Sequence, residues 1–234
     1  MSTPFETPDL TPGTPTGRSR KAGVPARPSL VGYPVNLLVV GRRCVVVGAG
    51  RIAARKIQSL LEAGADVTVV APEIGKEVRE WADAGRLTLV ERGFEPDDVE
   101  DAWLVVTATD DPAVNRAAFV AGEARRIFVN SADDPANCSF TLMSVVRRGD
   151  IVVSIGTNGR SPALATFLKD HVHDEMGPEY ETLLELLSEA REEIRSSGRS
   201  SEDSDWRAAI DSGILELIRE GRDSEARELL RSCL

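Results

Sequence analysis

Two stretches of this chain carry residues whose types and spacing suit chemistry. In VNSADDPANCSF (129–140) two adjacent carboxylates, Asp133 and Asp134, follow an apolar run; in VVVGAGRIAARK (45–56) the pair Gly48 and Gly50 follows another. A carboxylate at the open end of a buried strand can take a proton, but two neighbours cannot both be buried and ionised at low cost. Asp133 is therefore expected to face a crevice, with Asn130 and Ser131 beside it, and Asp134, next to Pro135, to finish the turn in solvent; from the residues alone, a plain turn-forming acid at 133 is an equal alternative. The glycines suit another task. Gly48 allows a tight turn, Gly50 lets the backbone approach a pyrophosphate, and Ala53 keeps helix and strand close, so an anion would lie against the free N–H groups of the helix start.

A dinucleotide needs a second wall, and TATDDPAVN (107–115) supplies one. Thr107, Thr109 and Asp110 end a strand beside the expected nicotinamide position, while Asp111 and Pro112 start a helix. An acid for the ribose hydroxyls is missing from the end of the second strand, where Val70-Ala71-Pro72 stands and Glu73 follows. No Arg or Lys is placed there for a 2′-phosphate, so NAD is expected rather than NADP. No metal-ligand cluster is legible: Cys44, Cys138 and Cys233 show no paired spacing, and His171 and His173, two apart on a helix, face different sides. Cys138 reads as a structural thiol. Arg55 and Lys56 follow the glycine turn closely enough to help hold phosphate or substrate carboxylates, with a plain exposed helix face as the favoured alternative.

These residues must be positioned by alternating elements. Buried strands are expected at Cys44–Val47, in DVTVVAP, in LTLVER, in AWLVVTAT and in IFVNSA, with helices in RIAARKIQSLLEAG, EIGKEVREWADAGR and AVNRAAFVAGEAR. Gly64 ends the first helix, and the run Leu37–Val40 reads as a hairpin-like or edge-strand entry. About five parallel strands with crossover helices make a Rossmann-like doubly wound sheet. Past Phe140 the texture changes. TLMSVVRRGDIVVSIGTNG reads as two short antiparallel strands, SPALATFLKDHVHDEM as a helix, and the rest as helices near 179–196, 206–220 and 223–231 around the polar linker SSGRSSEDSD. The expected domains are a disordered tail (1–31), a nucleotide-binding domain (32–140), an antiparallel segment (141–176) and a helical region (177–234).

Composition excludes several classes. A formal charge of −10 argues against a general nucleic-acid binder, and no apolar run reaches the roughly 20 residues that span a membrane. The Pro- and Thr-rich start has no signal-peptide core, so a soluble, cytoplasmic protein with reduced thiols is expected.

The glycine segment, TATDDPAVN, NSADDPANCSF and the downstream GTNGRSPALATFLK, in that order over about 33–169, resemble the precorrin-2 dehydrogenase and sirohydrochlorin ferrochelatase family, whose module also forms the first half of fused sirohaem synthases. The resemblance implies oxidation of precorrin-2 to sirohydrochlorin with NAD as hydride acceptor and, in some members, insertion of Fe2+ into that product. The family's essential carboxylate falls on Asp133, and its dinucleotide contacts fall on Gly48 to Ile52, on Pro72 and Glu73, and on Thr109. The loop carrying Thr157, Arg160 and Ser161 is brought near the crevice, and the antiparallel segment is where two chains of a homodimer embrace. A polycarboxylate tetrapyrrole needs positive groups, for which Arg147, Arg148 and Arg160 are candidates. No methyltransferase half is legible, so the preceding methylation is expected of another protein. The rival from another class is a non-catalytic nucleotide-sensing domain regulating ion transport, but such domains usually carry the ribose acid that is missing here.

Overall fold

The computed structural model describes residues 32–234; the expected disordered tail lies outside the described residues. Five short strands, β1 (Arg43–Val47), β2 (Asp66–Val70), β3 (Thr88–Val90), β4 (Leu104–Thr107) and β5 (Phe128–Ser131), form one parallel sheet in the order β3-β2-β1-β4-β5. Valine dominates β1, β2 and β4 because both faces of the sheet are covered and β-branched side chains pack well on a pleat. Helices α1 (Arg51–Glu62) and α2 (Lys76–Asp83) cover one face, where Ala53, Ala54, Ile57 and Val78 meet Cys44, Val46, Val67 and Val69. Helix α3 (Pro112–Ala124) covers the other through Ala118 and Ala121 against Val45, Val105 and Val129. Each fully buried aliphatic side chain contributes about 1.5–3 kcal/mol, and small alanines let the helices lie close.

The chain winds outward from β1 to β3, then crosses to β4 on the other side of β1. The direction of strand order therefore reverses between β1 and β4, which opens a crevice at their carboxyl ends. Gly64, at φ +74°, closes α1 as expected, and Asp111 caps α3 by accepting a 2.8 Å hydrogen bond from the Ala113 N–H, with Pro112 at the first helical position.

Beyond β5, β6 (Ser144–Arg148) and β7 (Ile151–Ile155) pair antiparallel, and α4 (Pro162–Glu175) packs on them. Helices α5 (Glu179–Ser196), α6 (Trp206–Ile210), α7 (Ile214–Arg219) and α8 (Asp223–Cys233) share a separate apolar core of Leu183, Leu186, Ile214 and Leu230. No described helix is long and apolar enough to cross a membrane.

Three expectations on elements are corrected. Leu37–Val40 is not a strand: only Val39 is buried, Leu38 and Val40 face outward, and the Arg42 N–H turns back to the Val39 carbonyl at 2.9 Å. Helix α2 starts later than its apolar spacing suggested, because the Gly75 N–H bonds to the Ala49 carbonyl at 3.0 Å and ties that residue to the glycine turn. The 206–220 helix is broken in two by Gly213, at φ +98°.

Candidate active site

The crevice is built on the β1–α1 turn. Gly48 has φ +108°, and a Cβ there would stand 2.5 Å from the Ala108 carbonyl oxygen, so only glycine lets this turn lie against the end of β4. Gly50 differs: it is extended, it starts α1 with no side-chain cap, and a Cβ on it would enter open space. An uncapped first turn beside a side-chain-free residue fits a dinucleotide pyrophosphate, which the helix-start N–H groups and the positive end of the dipole would hold. Ala49 and Ala53 are buried under the turn, whereas Arg51 and Ile52 are exposed. Pro72 and Glu73 are exposed past the end of β2. Gly75 is a residue sequence reasoning missed: a Cβ there would meet the Ala49 carbonyl at 2.6 Å, and only its position one residue before α2 hinted at a role.

Thr109 forms the second wall, its methyl 3.3 Å from where a Gly48 Cβ would be. Its hydroxyl is committed inward. It lies 2.9 Å from Asn115 Oδ1 and 3.1 Å from the Asp111 carbonyl, and accepts from the Asp111 N–H at 3.2 Å, while Asn115 Nδ2 donates to the Thr109 carbonyl at 3.0 Å. Asn115, buried on the first turn of α3, thereby holds the strand end in shape. Thr109 can meet a ligand with its backbone or methyl, its hydroxyl being engaged. Asp110 is exposed.

The loop after β5 carries Asp133, which is exposed and sits at φ +59°. Left-handed backbone is uncommon for a side-chain-bearing residue, though Asp and Asn tolerate it better than most. Asp134 does not finish the turn in solvent. It is half-buried, and its Oδ2 accepts a 2.5 Å hydrogen bond from Asn137 Nδ2. Ser131 points away from the crevice: it is buried against Thr107, whose hydroxyl lies 2.8 Å from its own. Alternation explains this, because Ser131 and Thr107 are register partners at the strand ends and share the α3 face, while Asn130 faces the α1 side. Asn130 Nδ2 donates to the Phe140 carbonyl at 3.0 Å. The Cys138 thiol lies 3.3 Å from the carbonyls of Ser131 and Asp134 and accepts from the Ser131 N–H at 3.2 Å. Burial pushes its pKa up, helped by the charge of Asp134 and opposed by that N–H, as befits a structural thiol.

Lys56 is the second residue that sequence reasoning undervalued. It is half-buried rather than exposed, burial and the neighbouring Arg55 push its pKa down, and the charge of Asp133 pushes it back up. The ammonium thus shares the electrostatic field of the candidate base. Its place one residue before the buried Ile57 was the available signal.

Other expected contacts are not brought to this cluster. The Thr157 hydroxyl accepts from the Ser161 N–H at 3.2 Å, Ser161 caps α4 by accepting from the Leu164 N–H at 3.2 Å, and Arg160 is exposed; no described hydrogen bond or ion pair joins their loop to the strand ends. Arg148 is not free for a carboxylate, since its guanidinium donates to the carbonyls of Met176 at 2.6 Å and His173 at 2.9 Å at the end of α4. It also lies 3.1 Å from His173 Nδ1, which must be the acceptor because arginine only donates. Arg147 is exposed. Among the described residues no group of three or more His, Cys, Asp or Glu could hold a metal.

A glycine turn at the switch point of a doubly wound sheet, with an uncapped helix start beside it, defines an α/β protein of the dinucleotide-binding class. Consistent with this, residues 35–144 match a family model described as "Putative NAD(P)-binding". Among curated proteins, the chain is 33% identical over 203 residues to "Siroheme synthase" of Nitrosococcus oceani, covering 86% of this chain and 43% of that protein. It is 34% identical over 163 residues to "Siroheme synthase 2" of Yersinia enterocolitica, covering 70% and 34%. The chain thus spans less than half the length of these curated relatives. Among solved structures, "SirC, precorrin-2 dehydrogenase" superposes with a TM-score of 0.64 at 28% identity, covering 86% of this chain and 98% of that one. The chain belongs to the precorrin-2 dehydrogenase and sirohaem synthase family.

Proposed function

We propose that this protein oxidises precorrin-2 to sirohydrochlorin with NAD. Support comes above all from the match to nearly the full length of a precorrin-2 dehydrogenase structure, in a chain that carries the exposed Asp133 on the loop after β5. NAD, when bound, supplies the hydride acceptor. The chain's own part is to hold and to deprotonate. The first turn of α1 and the Gly48–Ile52 segment hold the pyrophosphate, Pro72 and Glu73 border the adenosine side, and the backbone at Thr109 borders the nicotinamide side. Asp133 accepts the proton released as the macrocycle loses a hydride, so one proton and one hydride leave for each new double bond. Asn130 fixes the loop from the α1 side, and Lys56 keeps positive charge near the base.

The division of labour we propose assigns nucleotide binding to 32–140 and dimerisation to 141–176. Leu142, Val145 and Val152 around the hairpin and Leu164, Phe167 and Leu168 on α4 are exposed apolar residues that a second copy would cover, forming a homodimer. The loop with Thr157, Arg160 and Ser161 would then contribute to substrate binding from that interface. Insertion of Fe2+ as a second substrate is an extension of the same site, with Asp133 receiving pyrrole protons.

An anaerobic assay with precorrin-2 and NAD, followed optically, tests this. Wild-type protein should form sirohydrochlorin, and Asp133→Asn, which keeps shape and tolerates the left-handed backbone, should lose about 10²–10⁴-fold in rate while still binding NAD. Tight NAD binding without oxidation by the wild type would overturn the enzyme reading in favour of a nucleotide sensor. Fe2+ added to the product then reports metal insertion.

A further inference from the structure

The loop that presents Asp133 is braced from two neighbouring elements, β4 and α3. On one flank the Ala132 N–H bonds to the Thr107 carbonyl at 2.8 Å. On the other, Arg116 Nη1 on α3 donates to Asn137 Oδ1 at 2.9 Å, and Asn137 Nδ2 donates onward to Asp134 Oδ2 at 2.5 Å. Asn137 is buried, so its amide is fixed with its oxygen toward the cation and its nitrogen toward the anion. A guanidinium at one end and a carboxylate at the other polarise that amide in the same sense and strengthen both bonds. Arg116 is itself steadied over the Phe119 ring, 5.4 Å from its centroid. The two adjacent acids thereby divide: Asp134 is tied inward and its neighbour is left outward at φ +59°. Arg116 directly follows Asn115, which holds Thr109, so adjacent residues of one helix secure both walls of the crevice.

We propose that Arg116 is a positioning residue: through Asn137 and Asp134 it locks the 132–138 loop so that the Asp133 carboxylate faces the bound substrate. This deepens the dehydrogenase reading and rests on it. Arg116 is exposed apart from this contact, so its loss should cost the fold little, whereas a loop displaced by an ångström can cost a proton transfer far more.

The test compares Arg116→Ala, Arg116→Lys, Asp134→Ala and the Arg116→Ala/Asp134→Ala double variant in the full chain. The expected result for Arg116→Ala is a fall in kcat for precorrin-2 oxidation of roughly ten- to a hundredfold, with the KM for NAD and the thermal midpoint unchanged. Lysine at 116 keeps a donor for Asn137 and should restore most of the rate. Asp134→Ala should match Arg116→Ala, and the double variant should be no slower than either single one, because all three interrupt one chain of bonds. Amide hydrogen exchange over 132–138 should quicken in Arg116→Ala. Wild-type kcat and unchanged exchange in Arg116→Ala would overturn the proposal; so would a rate loss that tracks the thermal midpoint and is not rescued by lysine. If the wild type itself fails to oxidise precorrin-2, the dehydrogenase reading falls alone, and the exchange rates still decide whether Arg116 locks the loop.

Discussion

Gly48 and Gly50 differ by two positions and by the reason each lacks a side chain, and that difference is measurable. Gly48→Ala places a methyl against backbone at a positive φ, so it should lower stability by about 1–3 kcal/mol or more and abolish NAD binding. Gly50→Ala meets no protein atom, so its thermal midpoint should stay within a degree or two of wild type while NAD affinity falls; isothermal titration with melting curves on both variants checks the contrast. Lys56 offers a second test at this scale. Burial and Arg55 hold its pKa down and the charge of Asp133 alone opposes them, so Asp133→Asn should lower it further. The expected outcome is faster acylation of Lys56 at mildly alkaline pH in the variant, read by mass spectrometry. The glycine turn was legible in the sequence because it is a local pattern, whereas the role given to Asp133 came from the family resemblance. The inward turn of Ser131 was not read, although strand alternation contained it, and the pairing of Asp134 with Asn137 depends on the fold of the loop.

At the scale of elements, the link into β4 is held by a buried carboxylate. Asp98 accepts from Arg92 at 2.6 and 2.8 Å and from the Glu95 N–H at 2.7 Å, closing the capping box of the 3-10 turn Pro96–Val99. Burial pushes its pKa up, but these hydrogen bonds and the charges of Arg92 and Arg43 outweigh burial and hold it below the usual carboxylate range. A lowered folded value means that this stabilisation is complete above the unfolded pKa of about 4 and is lost as pH falls below it toward the folded value. Asp98→Asn should therefore lower the urea midpoint at pH 6, by about 1–3 kcal/mol in stability, and narrow its gap to wild type at pH 3. The strands, crossover helices and caps of this half were readable from period, glycine and Asp-Pro signals. Helix α2 and the 206–220 segment departed from their apolar spacing because a backbone contact at Gly75 and a left-handed residue at Gly213 overrode it.

For the whole molecule, two measurements bear on assembly and thiol chemistry. Phe167, 66% exposed on α4, should anchor the proposed dimer, so Phe167→Asp should shift the protein toward monomer in sedimentation velocity while leaving the melting of a monomeric fold intact. Of the three cysteines, Cys233 is exposed, whereas burial and Asp66 push the Cys44 pKa up to about 11. A thiol reagent should label Cys233 in the native protein and reach Cys44 only on unfolding, with Cys138 slower than Cys233 because its sulfur bonds within the loop.

The amino-acid order by itself determined the doubly wound sheet, the glycine turn and the family resemblance, since these rest on periodicity and short contiguous motifs. Only the tertiary structure decided which polar groups are free to act. Ser131, Thr109, Thr157, Ser161 and Arg148 all sit where a ligand contact was expected, yet each spends its side chain on a neighbour. Lys56 and Arg116 gain their importance from residues 77 and 21 positions away. Burial and hydrogen-bond partnership depend on distant segments meeting, and a polar side chain withdrawn from water must find its partner wherever the fold supplies one.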